Sequence, residues 1–452
     1  MASHRRPANA HDAIRIVEEM KTQSLSELVE KHADDALFQR LTWHLLPVLF
    51  VSYVVAYIDR VNVGFAKLQM LDDLHFSASV YGLGSGIFFL GFLLFEIPSN
   101  LILYRVGARP WLTRIMLTWG IISVLTMFVR TPNQFYIARF LLGVAEAGFL
   151  PGVVYYLSQW FPQDRQGRVI SMLVTAAALG GVLVGPLSGW IMSYFSDSER
   201  LHNWQWLFLL QGIPALMVAL VLWVTLPDNP TNVRWLSSEE KKRLVSLVGD
   251  AQRHLPRKDK IREVLFESNV WLLALTLLAV NLGIYAVIFW TPTIIRDAGV
   301  SSLSNIGYIS AFPYVGSALA MLLLGRSSDY FEERRWHIAV TCVVGALGLV
   351  LTTIANGPEI RIAGVIVATS AFIGSTPLVW AMSGNFMSGR AAATGLALIN
   401  AVAALGGLVG PYVMGIAKDL TGSTTSAVLA IAAIAMMGSF CVLKLPATGK
   451  HS

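Results

Sequence analysis

This chain of 452 residues has little charge and almost no cysteine. Only 14% of its residues are Asp, Glu, Lys or Arg, against roughly a quarter in ordinary soluble proteins. Its two cysteines, Cys342 and Cys441, both fall inside apolar stretches. That excludes a disulfide framework, and a metal site needs more ligands at regular spacing. The first forty residues hold no apolar core of the kind a cleavable signal peptide requires. A His-Glu-x-x-His motif is missing, and Thr448-Gly449-Lys450 lacks the flanking residues of a phosphate loop. No stretch between apolar runs is large enough for an appended catalytic domain, so an enzyme is not expected.

Apolar residues, by contrast, make up 55% of the chain, with 37 Gly and 13 Trp, a composition typical of membrane-spanning helices and their flanks. The net charge of +6 would fit a nucleic-acid partner only if the cations formed an exposed patch interleaved with stacking aromatics. They lie instead in short clusters between long apolar runs, which marks a polytopic membrane protein with the lipid bilayer as its surroundings.

A spanning helix needs about twenty predominantly apolar residues. That ruler predicts spans near 43–66, 79–103, 111–130, 134–157, 169–194, 204–226, 269–293, 304–325, 336–355, 360–382, 391–416 and 424–444. The long polar break at 227–268, with nine Lys/Arg and seven Asp/Glu, divides them six and six. The predicted fold is therefore all-α, with twelve transmembrane helices in two pseudo-symmetric bundles. Its expected parts are a tail (1–40), a first bundle (41–226), a linker (227–268), a second bundle (269–445) and a short tail (446–452). Within the first tail, Ile14, Val17, Met20, Leu25, Leu28 and Val29 alternate with Glu18, Glu19, Glu27, Glu30 and Lys31. This pattern predicts a short amphipathic helix on the membrane or against the protein.

Orientation follows from loop charges, because Lys and Arg accumulate on the cytoplasmic side. With the N-terminus inside, 26 of them fall on cytoplasmic segments and six on outer loops, Lys67 counted among the six. Both termini are expected in the cytoplasm. The halves also repeat. Gly181-Val-Leu-Val-Gly185-Pro186 returns as Gly406-Gly-Leu-Val-Gly410-Pro411, and Asn100-Leu-Ile-Leu-Tyr104-Arg105-Val-Gly107 aligns with Gly325-Arg-Ser-Ser-Asp329-Tyr-Phe-Glu332, both at an offset of 225. Two similar bundles facing each other suit a carrier whose site lies at the midplane between them.

Ionisable groups in the bilayer core are costly and face the bundle interior. Five stand out: Asp59, Arg60, Glu96, Arg139 and Glu146, all in the first half, while spans seven to twelve carry none away from their ends. At a rise of 1.5 Å per residue, Asp59 lies roughly 24 Å along span one and Glu146 about 18 Å along span four. Asp59 and Arg139 come out at similar depth and are expected to pair if their helices are neighbours. Glu146 then sits near mid-membrane without an evident partner, as the group most suited to carry a proton. Arg60 cannot discharge, and its planar fork matches a carboxylate. With Tyr53 and Tyr57 it forms one stripe at i, i+4 and i+7, either a site for a substrate anion or part of an internal salt-bridge cluster. Glu96 lies near the inner end of span two, as a gate contact or cap. His44 reads as an interfacial side chain. In the second half, Asn281, Tyr285, Trp290, Tyr314, Trp380 and Asn400 offer aromatic and amide groups able to hold a small organic molecule.

Several of these segments together resemble one family. Tyr57-Ile-Asp59-Arg60-Val-Asn62, Phe95-Glu96-Ile-Pro98-Ser99-Asn100 and Arg139-Phe-Leu-Leu-Gly143-Val-Ala-Glu146-Ala-Gly-Phe-Leu-Pro151-Gly152 look like the anion:cation symporter family of the major facilitator superfamily. Trp160-Phe-Pro162 and the segment from Asn400 to Pro411 extend the match over nearly all of 40–445. The resemblance implies proton-coupled uptake of a small organic anion across a bacterial inner membrane, with protons as coupling ion and no other cofactor. It assigns proton coupling to Asp59 and Glu146, and substrate binding to Tyr57, Arg60, Tyr285, Trp380 and Asn400. Salt-bridge and gating roles fall to Arg139, Glu96 and Asp329, and the working unit is a monomer. Tyr104 departs from the acidic residue usual in the inner-loop motif, where Asp329 keeps its counterpart. Few hydroxyl or amide groups surround Ala177 or occur in Pro377-Leu378-Val379, which favours an aromatic or dicarboxylic acid over a sugar acid. The Gly181-to-Gly189 pattern also resembles a motif of superfamily antiporters, so a proton-coupled exporter of drugs or cationic compounds is the alternative.

Overall fold

The computed structural model describes residues 10–230, 233, 235–252, 267–355, 357–383 and 389–446, with side chains from residue 32 onward except 249–252 and 389–394. The amphipathic positions Ile14 to Lys31, the linker stretch 253–266, Arg390 and the tail from 447 lie outside the described side chains. The described elements are all helical. Twelve helical segments are long and apolar enough to cross a membrane. The first six are His32–Leu74, Ala78–Val106, Ala108–Phe128, Pro132–Ser158, Gln163–Tyr194 and Asn203–Thr225. The other six are Ser268–Asp297, Leu303–Tyr330, Arg335–Ile354, Pro358–Ser383, Gly395–Thr421 and Thr425–Leu443. Every predicted span is present. The even number brings the first and last spans to one face of the membrane, here called the terminal face.

Local signals fix the span ends. Thr131 caps span four in a reciprocal box with Gln134, and Pro132 occupies the first turn, where its missing N–H costs nothing. Ser77 accepts from the Val80 amide at the start of span two. Span one departs from the expected boundary at residue 40. The helix runs from Ala10 to Val61 without a break, and Leu37, Phe38 and Leu41 are already buried. A helix in the linker, Ser238–Gln252, explains why. Arg243 grips Asp34 at 2.5 and 3.1 Å, Arg40 pairs with Glu240, and Trp235 stacks on His44 at 4.2 Å. Ser237 caps this helix. Its backbone N–H and Arg40 hold the Glu240 carboxyl below the ordinary carboxylate range.

Three spans are interrupted in mid-course. Span one turns at Asn62, between Val61 and Val63. Span eight breaks between Ile309 and Phe312. Span four stops at Glu146 and restarts at Phe149, through Gly148 at φ +83°. An L side chain disfavours that left-handed conformation, and a Cβ there would strike the Ser99 hydroxyl. Non-helical backbone at membrane depth is tolerated where protein buries it or water reaches it, and discontinuous helices of this kind frame binding sites in carriers.

The repeated glycine motifs are packing surfaces. In span five, Gly185 lies against the Gly307 carbonyl and Gly189 against the Leu303 carbonyl of span eight. In span eleven, Gly406 and Gly410 pack against Leu282 of span seven. Gly82 and Gly86 bring span two onto Pro411 and Leu408 of span eleven. In lipid, where apolar burial drives little helix association, such backbone approach holds helices together. Polar bonds between the two halves gather on the face opposite the chain ends. Asp419 accepts from the Ala78 and Ser79 amides (2.9 and 2.8 Å), Arg296 donates to the Leu68 carbonyl (2.7 Å), and Ser304 bonds Ser193 (2.8 Å). The molecule is closed on that face.

Gly185→Ala should therefore cost roughly 1–3 kcal/mol through overpacking against backbone, read as a lower midpoint of thermal unfolding in detergent. Gly167→Ala, on the same helix with open space at its Cβ, should leave the midpoint unchanged or raise it.

Candidate functional site

The interruptions in spans one and four place the buried charges. Asp59 and Arg60 end the long helix of span one just before Asn62, and Glu146 ends the first half of span four. Arg60 donates through Nη2 to Glu146 Oε1, a pair with side chains 19% and 2% exposed. The second oxygen of Glu146 and the Nε of Arg60 have no hydrogen-bond partner. The guanidinium lies over Phe88 and Phe92 of span two, 5.6 and 5.9 Å from the ring centres, an attraction that strengthens when water is excluded. Tyr285 of span seven faces the same guanidinium and packs on Phe89 at 4.4 Å.

Asp59 is held differently. Trp119 Nε1 and Ser123 Oγ of span three donate to its two oxygens, and Asn62 Nδ2 adds a third bond at 3.0 Å. The expected ion pair with Arg139 is not formed: no Asp59–Arg139 contact within 4.0 Å occurs among the described residues. Neutral donors from span three occupy the carboxylate instead. Arg139 is buried, its Nε and Nη2 unpartnered, with its guanidinium 5.3 Å from the Phe88 centroid. Phe88 thus serves two arginines. The partnerless reading of Glu146 is corrected in the same way, since Arg60 is its partner. Depth along a helix can be counted from sequence, but the direction a side chain faces across the bundle cannot. Adjacent residues such as Asp59 and Arg60 point about 100° apart and meet different neighbours.

Other expected residues distribute around this centre. Tyr57 meets Tyr314 of span eight edge-on at 6.0 Å and 87°, joining the two halves. Asn400 Nδ2 of span eleven donates to Glu96 Oε2 at 3.4 Å, so Glu96 contacts the opposite half, though Asn400 thereby meets a carboxylate rather than Arg60. Trp380 stands half-buried on span ten, and no ring or hydrogen-bond contact joins it to Arg60 or Glu146. Asp329 lies exposed at the terminal-face end of span eight, 3.9 Å from Arg334. Tyr104, across from it in the repeat, packs against Tyr155 at 4.3 Å.

Sequence reasoning missed several groups. Phe88 and Phe92 lie under Arg60, Phe88 also faces Arg139, and Phe89 packs beside them on Tyr285, a set legible only as an ordinary apolar run. Trp119 and Ser123, four residues apart on one helical face, carried a signal: a Trp and a hydroxyl aligned toward the same neighbour. Lys67, counted with the outer loops, is 4% exposed inside the protein. Trp119→Phe should cost roughly 1–3 kcal/mol by leaving a buried carboxylate short of a donor. Thermal unfolding of the purified variant checks this, and an unchanged midpoint would show that the indole does not support Asp59.

Residues 49–411 match the Major Facilitator Superfamily. The chain is 45% identical over 418 residues to the "Putative metabolite transport protein NicT" of Pseudomonas putida, covering 92% of this chain and 96% of that protein. It is 40% identical over 404 residues to a "Quinolone resistance transporter" of Acinetobacter baumannii, covering 89% and 93%. A "Putative tartrate transporter" of Agrobacterium vitis is 40% identical over 417 residues, covering 92% and 96%. With twelve apolar helices in two halves and relatives that span almost its whole length, this chain belongs to the major facilitator superfamily of multi-pass membrane transporters.

Proposed function

We propose that the protein is a proton-coupled symporter that takes up a small organic anion, an aromatic or dicarboxylic acid, by alternating access. The Arg60–Glu146 pair carries this reading, because each partner keeps an unused valence: Arg60 Nε and Glu146 Oε2. A substrate carboxylate competes with Glu146 for a guanidinium that must remain charged. A proton on Glu146 removes that competitor, so protonation and substrate binding favour each other, as coupling requires. Tyr57 and Tyr285, on opposite halves, line the approach to Arg60, and the Glu96–Asn400 bond reports the state of the terminal side. Asp59 is the second proton-coupling carboxylate. Removing its charge takes away a negative charge that acts at a distance on the unpaired Arg139.

The loop charges support a cytoplasmic terminal face; a bacterial inner membrane and a monomeric working unit are part of the same proposal. On that orientation the closed outer face excludes an outward-open state. The relative named as a tartrate transporter supports an acidic substrate. The relative named as a quinolone resistance transporter supports a second reading, proton-coupled export of drugs. The glycine pattern once associated with that reading is occupied here in packing span five against span eight.

External pH in lightly buffered, de-energised cells separates the two. Addition of a transported acid should alkalinise the medium, and Glu146→Gln should abolish the signal while leaving exchange of pre-bound substrate. Proton release on adding cationic drugs, with silence toward acids, would favour export. Arg60→Ala should reduce binding of the acid to background; undiminished affinity would remove Arg60 from the site.

A further inference from the structure

Lys67 lies seven residues beyond Arg60, on the short helix Val63–Leu74 that completes span one. A lysine this close to the membrane surface normally extends its ammonium to water, yet this one is 4% exposed and its Nζ has no hydrogen-bond partner. It sits 2.9 Å from the ring centre of Trp290 and 4.5 Å from that of Tyr81. Tyr81 is fixed by donating its hydroxyl to the Phe289 carbonyl at 2.7 Å and meets Trp290 edge-on. The acidic groups on the rim above are already engaged, Asp297 with Lys418 at 2.9 Å and Asp419 with the Ala78 and Ser79 amides. No carboxylate lies within 4.0 Å of Lys67 among the described residues.

Lys67 and Tyr81 belong to the first half of the molecule and Trp290 to the second. The cage is therefore an interface between halves, built on the face that is closed here. When the halves part on that face, Trp290 leaves and an ammonium is uncovered at the mouth, on the same span as Arg60 and two turns beyond it. We infer that Lys67 is a first docking site for the anionic substrate, available only in the outward-open state and covered by Trp290 when that mouth closes. The inference rests on the organic-anion reading. It adds a second cation to it, so that a carboxylate arriving from outside meets Lys67 before Arg60. The rings replace the anion during closure: a cation–π contact holds the charge while the substrate is further in.

The test labels wild-type protein in right-side-out vesicles with trinitrobenzenesulfonate, an anionic reagent that attacks amines and does not cross the membrane. Modification of Lys67 is read by mass spectrometry, with the half-buried Lys418 of the same rim as internal reference. Lys67 should be labelled from outside, and saturating L-tartrate or benzoate should slow that labelling about tenfold, the equivalent of one lost ion contact, without slowing Lys418. Lys67→Gln should raise the external half-saturation for the protecting acid about tenfold with its maximal rate within about twofold, and Lys67→Arg should restore it. A Lys67 that stays unlabelled, or is labelled but protected by no acid, overturns the docking site. Should the same vesicles still take up the acids, the organic-anion reading survives that failure; should they take up none, both fall.

Discussion

Arg60 cannot give up its proton, and the middle of this protein is organised around that fact. A guanidinium in a medium of low dielectric needs an anion or an electron-rich surface close by. The fold supplies both, Glu146 from span four and the faces of Phe88 and Phe92 from span two. Arg139 draws on the same Phe88 ring. Two positive charges and the carboxylates of Asp59 and Glu146 therefore share one small volume. Changing the charge on either carboxylate changes what both arginines require. Such a cluster stabilises the fold weakly, since desolvation offsets much of the Coulomb attraction. In the proposed function, this cluster is the part that responds to a proton and to an added anion.

The second constraint comes from the alternating access proposed above, in which the two halves separate on one face and meet on the other. Flat contacts between backbones suit that requirement. Gly185 against Gly307 and Gly82 against Pro411 bring helices together without interdigitated side chains. The polar bonds that close the face are few and lie at helix ends: Asp419 on the span-two amides, Arg296 on the Leu68 carbonyl. The linker helix and the first-span extension form a separate unit, tied by Arg243–Asp34 and Arg40–Glu240. Among the described residues, these pairs fasten the linker helix to the first half.

The sequence by itself determined the twelve spans, the six-and-six division, the repeat and three of the buried charges, Asp59, Arg139 and Glu146, but not Lys67. Each follows from properties that act along the chain: apolar length against bilayer thickness, a fixed rise per residue, the cost of charge in hydrocarbon. It placed Asp59, Arg60, Arg139 and Glu146 at sensible depths. It could not say which faced which. Only the tertiary structure decided that Arg60 pairs with Glu146, that Trp119 and Ser123 hold Asp59 in place of Arg139, and that Lys67 is caged by Tyr81 and Trp290 rather than exposed. Those outcomes depend on the rotation of each helix about its axis and on which helices are neighbours. Both are set by packing between segments tens or hundreds of residues apart, and periodicity within one segment carries no record of them.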